Sequence, residues 1–490
     1  MEIVPDSTEY AFGAQHLANG DGYHVQCGGQ NLPPRYPPWF SIALAPAYWV
    51  FGPDPGNGIW VVFGFALVGL IVAFELGKRI SGTWGGVWAG VLLLAVTDYH
   101  YWGRQIMTDV PCTVLIMLLL WIWLLLQESA QGSRWAVAGI LLASATAFRP
   151  TSFAFVLPFF LSWIRKNPRP WTHLVCLLTP CAILFLFTAT YNYKVYGDIA
   201  RTGYSFWCAV PYDYPKLIYS LQYVSDNFLA LINSHWIWLA ASLCVLWIVF
   251  RRGVAHFLPN FILFSVAGGF PVLLFHMVYF YPDARFFLPL ASLMAVGCGG
   301  LAGKFFSKWP VWPVILGQIG LIVAGIWMVN SVRNTSVLQR RSIAESILRD
   351  IPVDAAIVSA VEPVYLENFP NMGTRQIIPV SRKVEYASKV IVRHKIPEPL
   401  PAPEGWWDSR CAGLLAGGAE EAVPWTAFEN PERLAKLVAS GKSVFLDRVS
   451  IPDPLVEKII QMSNSSHVQP IEGSFVRLTP KIDVADSTME

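Results

Sequence analysis

Carboxylates open the chain in Pro5-Asp6-Ser7-Thr8-Glu9-Tyr10, where Asp6 and Glu9 stand one helical turn apart, and Asp109 follows in Arg104-Gln105-Ile106-Met107-Thr108-Asp109-Val110-Pro111. A carboxylate within hydrogen-bond reach can take the proton from an attacking alcohol. Arginines accompany them: Arg35 in Pro33-Pro34-Arg35-Tyr36-Pro37-Pro38, then Arg104, Arg149, Arg201 with Tyr204 close behind, and Arg285. A guanidinium can hold a phosphate through two parallel hydrogen bonds. The chemistry these types offer is proton removal beside an anion site. Each also has a plainer explanation. Asp109 stands where a helix dipole favours a carboxylate, Arg149 could snorkel to headgroups, and Arg285 could simply pair with Asp283. The elements that position them decide between the two.

Those elements are membrane helices. The chain is 54% hydrophobic and only 14% charged, against roughly 25% charged in soluble domains, and its mean hydropathy is +0.44. Apolar runs recur at 58–76, 84–97, 107–126, 135–148, 151–164, 174–191, 229–250, 258–280, 286–303 and 311–330. Runs of this length span a bilayer, and the short ones imply tilted or paired half-length helices. Lys78 and Arg79, Arg134, the group Arg165, Lys166 and Arg169, the pair Arg251 and Arg252, and Lys304 with Lys308 fall between runs. With strict alternation all five clusters share one side, which the positive-inside rule makes cytoplasmic. This requires 135–164 to be a hairpin turning at Arg149-Pro150.

The fold class expected is a polytopic α-helical membrane protein with a C-terminal soluble α/β domain. Residues 1–55 form an outer-face loop in which 39–51, too short to span, lies as an interfacial helix. Residues 56–330 carry about ten spans, and 331–490 form the outer-face domain, with short β-branched runs alternating with helices. The loops 98–106, 192–228 and 281–285 are also outside. A chain that begins outside without a leader implies that a first transmembrane helix is missing from it. Arginines on the outer face oppose the charge trend, and an anionic ligand there would explain them.

Other residues are read more plainly. The eight cysteines show no metal-ligand spacing. Cys112, Cys176, Cys181, Cys244 and Cys298 read as small core residues, while Cys27 and Cys208 share a face and could form a disulfide. His16, His173, His235, His256 and His276 read as structural or interfacial. No basic-aromatic surface points to nucleic acid. The C-terminal domain shows neither a phosphate loop nor a nucleophile elbow.

The motifs, in this order, resemble the GT-C superfamily of membrane glycosyltransferases, close to glycosyltransferase family 39 with its protein O-mannosyltransferases and the related aminoarabinose lipid A transferases. Asp6 to Ala11, Gly20-Asp21-Gly22-Tyr23 and Arg35 to Trp39 resemble the first outer loop, and Arg104 to Pro111 the second. Phe148-Arg149-Pro150-Thr151 resembles the Arg-Pro-Thr turn, Tyr196-Gly197-Asp198 with Arg201 to Tyr204 a later loop, and Arg285 to Pro289 the Arg-Tyr-Leu-Pro type motif. Ser7 stands where several members carry a second acid. The resemblance implies transfer of a hexose or related sugar, with inversion, from a polyprenyl-phosphate donor to a hydroxyl of a protein, lipid or glycan, on the periplasmic face of a bacterial inner membrane. Asp6 is then the base, with Glu9 in reserve, and Asp109 orients an arginine or the acceptor. Arg35, Arg104, Arg149, Arg201, Tyr204 and Arg285 bind substrate. A divalent cation is compatible with this scheme, but no metal ligands are assigned. The competing reading is a transporter or flippase of an anionic lipid, against which the absence of an inverted repeat counts.

Overall fold

A computed structural model describes residues 5–128, 132–165, 170–203, 218–252, 257–306, 315, 316, 318–320, 323, 335–380, 427, 428, 430–463, 465–470 and 474–480; within it, the side chains of 5–6, 244–252, 257, 305–306, 335–339, 465–470 and 480 are not described. The chain begins with α1, Pro5–Asn19, where the sequence suggests only a polar loop. Proline suits a first helical turn, and Gly20 at φ 84° ends the helix in the left-handed region. Periodicity hid α1 because its buried face mixes Ser7, Thr8 and Glu9 with Tyr10, Ala11 and Phe12. The hairpin β1 (Val25–Cys27) and β2 (Gln30–Leu32) follows. Then comes α2, Trp39–Phe51, which buries Phe40, Leu44 and Tyr48 while Trp49, Val50 and Phe51 are exposed. That two-faced helix is the one expected at the interface.

The apolar runs at 58–76 and 84–97 join as α3, Ile59–Leu94, but Ser81 and Gly82 leave helical geometry, with Gly82 at φ 75°. The chain reverses there. A methyl group on Gly77 would lie 2.3 Å from the Gly85 carbonyl, and one on Gly85 would lie 2.4 Å from the Gly77 carbonyl, so only glycine allows the two arms to touch. The returning arm packs on α11 (Leu288–Phe306), where Gly299 and Gly303 lie against the Ala89 and Gly85 backbones. Small residues are what lets membrane helices approach this closely.

Between these arms run α4 (Thr97–Trp102), α5 (Asp109–Glu128), α6 (Gly132–Phe148), α7 (Val156–Arg165), α8 (Trp171–Tyr196), α9 (Val224–Arg252) and α10 (Phe257–Met277). Trp135 at the start of α6 meets Phe159 of α7 at 5.9 Å, so the 135–164 segment does turn back at Arg149. Among the described residues five helical stretches are long and apolar enough to cross a membrane, fewer than ten runs suggest. The difference is physical. Two runs form the single interrupted helix α3, α6 and α7 have only 17 and 10 residues, the side chains of α9 are described only as far as 243, and 311–330 lies mostly outside the described residues. Three of the five basic ends gather: Arg79 pairs with Glu128 at 2.6 Å, Arg134 donates to the Leu125 carbonyl at 2.6 Å, and Ser81 bonds the Gly300 carbonyl near Lys304. Cys27 is a buried free thiol, while its suggested partner Cys208 lies outside the described residues.

The C-terminal part opens with α12 (Thr335–Asp350) and builds a five-stranded sheet in the order β4-β3-β5-β7-β6. β3 (Ala356–Ser359), β4 (Gln376–Pro379) and β5 (Val444–Asp447) are parallel; β7 (Phe475–Pro480) and β6 (Ser465–Pro470) are antiparallel. The short helices α13 (Pro363–Glu367), α14 (Pro431–Ala439) and α15 (Asp453–Met462) complete the layers. The sequence missed β6 because Ser465 to Pro470 is mostly polar. One apolar cluster runs from Tyr10, Phe12 and Phe40 into Ile343, Ile347, Tyr365 and Phe369. The sheet domain therefore packs directly on the N-terminal segment.

Candidate active site

The end of the bundle opposite the basic turns gathers most of the residues singled out above. Asp109 begins α5, with Pro111 in the first turn. Arg149 is extended at φ −145° between α6 and a 3-10 turn, as expected of a residue held out of the helix by the proline after it. The Arg149 guanidinium pairs with Asp109, whose carboxylate is buried and whose Oδ2 has no hydrogen bond among the described residues. It also lies over the Phe286 ring at 5.3 Å.

Arg285 approaches the same ring at 5.5 Å and stacks over Trp102 at 5.1 Å. Asp283 caps its turn, accepting from the Arg285 backbone N–H at 3.0 Å and pairing with Nε at 3.1 Å. Burial raises the Asp283 carboxyl above the usual range although Arg285 pulls it down, and Asp109 and Asp98 raise it further. Asp98, in turn, lies 3.2 Å from His235 Nε2, and the same nitrogen is 3.1 Å from the Ala284 carbonyl. His276 stacks on Phe286 at 4.7 Å. Two guanidiniums and three carboxylates thus share an aromatic mouth. Among the described residues no three His, Cys, Asp or Glu side chains form a metal-ligand group.

A second polar centre lies on α1. The Glu9 carboxylate accepts from Arg35 Nη2 at 2.8 Å and, through its other oxygen, from the Arg35 backbone N–H. Tyr10 stacks on Tyr36 at 4.2 Å, and Tyr23 donates to the Tyr36 carbonyl at 2.8 Å. Tyr196 donates to the Pro34 carbonyl at 3.2 Å. A methyl group on Gly203 would lie 2.4 Å from that same oxygen, so glycine is needed where this loop crosses the Arg35 segment. Tyr10–Phe40 at 5.0 Å and Phe40–Phe148 at 5.2 Å connect this centre to Arg149 through a row of rings.

The remaining candidates divide. Arg201 is half-buried beside that crossing, and Arg104 is exposed on the turn after α4. Asp6 lies in the first turn of α1, but its side chain is outside the described residues, as is Tyr204 altogether. Sequence reading missed Trp102 and Asp98 and read His235 as structural. A histidine within an apolar run was the available signal.

Residues 35–192 match the model of the dolichyl-phosphate-mannose-protein mannosyltransferase family, a span that holds Arg35, Arg104, Asp109 and Arg149. No curated protein sequence matches the chain. Two crystal structures of ArnT from Cupriavidus metallidurans match in fold, each covering 98% of this chain and 94% of theirs at 12% identity. The form bound to undecaprenyl phosphate gives a TM-score of 0.59 and the apo form 0.60. The chain shares the fold of these ArnT structures. The likeness in fold extends through the C-terminal sheet as well as the helical bundle, since nearly the whole chain is covered. Within that fold the polar residues lie at one end of the bundle, where the resemblance in the sequence puts the outer loops.

Proposed function

We propose that this protein is an inverting glycosyltransferase that moves a hexose or related sugar from a polyprenyl-phosphate donor to an acceptor hydroxyl of a protein, lipid or glycan. The observation that carries this reading is the convergence of Arg149 and Arg285 on Phe286 at the ends of apolar helices, in a fold shared with an ArnT crystallised with undecaprenyl phosphate. A lipid-linked phosphate needs cations at the membrane surface and an apolar run for its tail, and this mouth offers both.

In the reaction, the acceptor oxygen bonds to C1 of the sugar while the C1–O bond to phosphate breaks and its electrons pass to the phosphate oxygen. Asp6 takes the hydroxyl proton as the new bond forms. Arg149 and Arg285 stabilise charge on the leaving phosphate in a water-poor site, so no general acid is needed. Asp109 fixes the Arg149 guanidinium, and Glu9 fixes Arg35 and its loop. Membranes containing the protein, supplied with radiolabelled polyprenyl-phosphate sugars, should pass label to a new product. Donor that crosses the bilayer with its sugar intact would mark a transporter instead.

A further inference from the structure

Gly28-Gly29 joins β1 to β2 where Cys27 pairs with Gln30. Both glycines have positive φ, 65° and 73°, the geometry of a type I′ turn. Strands of three residues are marginal unless something supports them. The support comes from more than 330 residues away in sequence. Glu367 accepts from the Gly28 N–H on Oε1 and from the Gly29 N–H on Oε2, each at 3.1 Å. Asn368 then acts as a neighbouring strand would: its Oδ1 accepts from the Gln26 N–H at 2.9 Å, and its Nδ2 donates to the Gln26 carbonyl at 2.8 Å. Asn368 is buried, and its Oδ1 also lies 3.1 Å from His16 Nε2 of α1.

We propose that the C-terminal domain is a positioning part of the active site: Glu367 and Asn368 clasp the Val25–Leu32 hairpin and thereby hold α1, with Asp6 and Glu9, in place. The path is continuous. Past β2 the chain reaches Arg35, both of whose bonds described above end on Glu9. Tyr365 of α13 meets Phe12 of α1 edge-on at 6.0 Å. Cys27 and Leu32 form a small apolar cluster with Tyr196 and Val364 packed on it. Arg341 grips Asp54 at 2.8 Å and 3.3 Å, anchoring the same domain ahead of α3. Burial raises the Glu367 carboxyl, and the two glycine N–H groups oppose that shift.

The activity arm of the test rests on the glycosyltransferase reading, whereas a hydrogen-exchange arm does not. In the full-length protein, Asn368→Ala and Glu367→Ala should each lower kcat by about tenfold through misplacement of α1, with donor KM within about twofold. Amides of residues 5–19 and 25–36 should exchange about tenfold faster than in wild type, while those of 59–94 are unchanged. Glu367→Gln keeps one acceptor oxygen and should fall between wild type and Glu367→Ala. Should Asn368→Ala fail to fold, Asn368→Asp, which keeps Oδ1 but loses the donor to Gln26, takes its place. Loosening confined to 25–36 with α1 unchanged would overturn the proposal, as would loosened α1 with unaltered kcat. If wild type transfers no sugar, the exchange of α1 alone decides, and an unchanged α1 refutes the clasp.

Discussion

The two polar centres are built differently. At the bundle mouth the arginines pair with carboxylates and converge on a shared ring: Arg149 has Asp109 and Phe286, and Arg285 has Asp283, Trp102 and Phe286, whereas Arg35 of the other centre lies over its neighbour Tyr36 at 5.6 Å. Among the described residues Asp109 even retains a buried oxygen without a hydrogen bond. On α1 both oxygens of Glu9 are engaged by Arg35, and the segment around it is tied down by tyrosines, Gly203 and the C-terminal domain. Two cations converging on one ring can face an incoming phosphate together, while a carboxylate with both oxygens occupied holds position. The mouth is built to bind, and the α1 centre is built to stay.

Substitutions can break this division of labour. The largest effect belongs to Asp6→Asn, which should cut turnover by about two to four orders of magnitude, the range for losing a general base, with donor affinity intact. Arg149→Ala should follow, because it strands a buried Asp109 carboxylate. Its expected cost is about 3–5 kcal/mol in stability, read by thermal unfolding, with donor binding lost. Asp109→Asn with Arg149→Met should recover much of that stability but none of the binding, separating the pair's structural role from its ligand role. Arg285→Lys keeps the charge but loses the planar stack, worth about 0.5–2 kcal/mol, and should raise donor KM while lowering kcat by a smaller factor, since the charge that steadies the leaving phosphate is kept. Glu9→Gln should do the reverse, lowering kcat with donor KM unchanged.

The smallest effect concerns the anchor between Asp54 and Arg341. Hydrogen bonds from Arg341 and Gly56 lower the Asp54 carboxyl despite the opposing effect of burial. A carboxyl lowered on folding stabilises the protein above its unfolded value, near pH 4, and that contribution is lost as pH falls through the lower folded value. Half-exposed pairs of this kind are worth about 0.2–1 kcal/mol. Asp54→Asn should therefore flatten the acid limb of unfolding only slightly.

Much of this was legible in the residues. The apolar runs located the helices, the prolines at 111 and 150 located the α5 start and the Arg149 turn, and cations in short loops located one end of the bundle. What stayed hidden follows from how it is stabilised. α1 buries Ser7, Thr8 and Glu9, so no apolar stripe marks it. The Asp98–His235 contact and the Glu367–Gly28 clasp join positions far apart in sequence, and each residue alone resembles an ordinary polar residue in a loop or helix. Ser81-Gly82 was visible as a gap between runs, but the touching of Gly77 and Gly85 was not.

The most direct test is a single turnover with saturating polyprenyl-phosphate sugar, measuring bound donor and released sugar in the same sample for wild type and Asp6→Asn. The account predicts equal donor bound in both and sugar transferred only by wild type. Equal transfer by both, or loss of donor binding in Asp6→Asn, would contradict the separation of base from binding mouth.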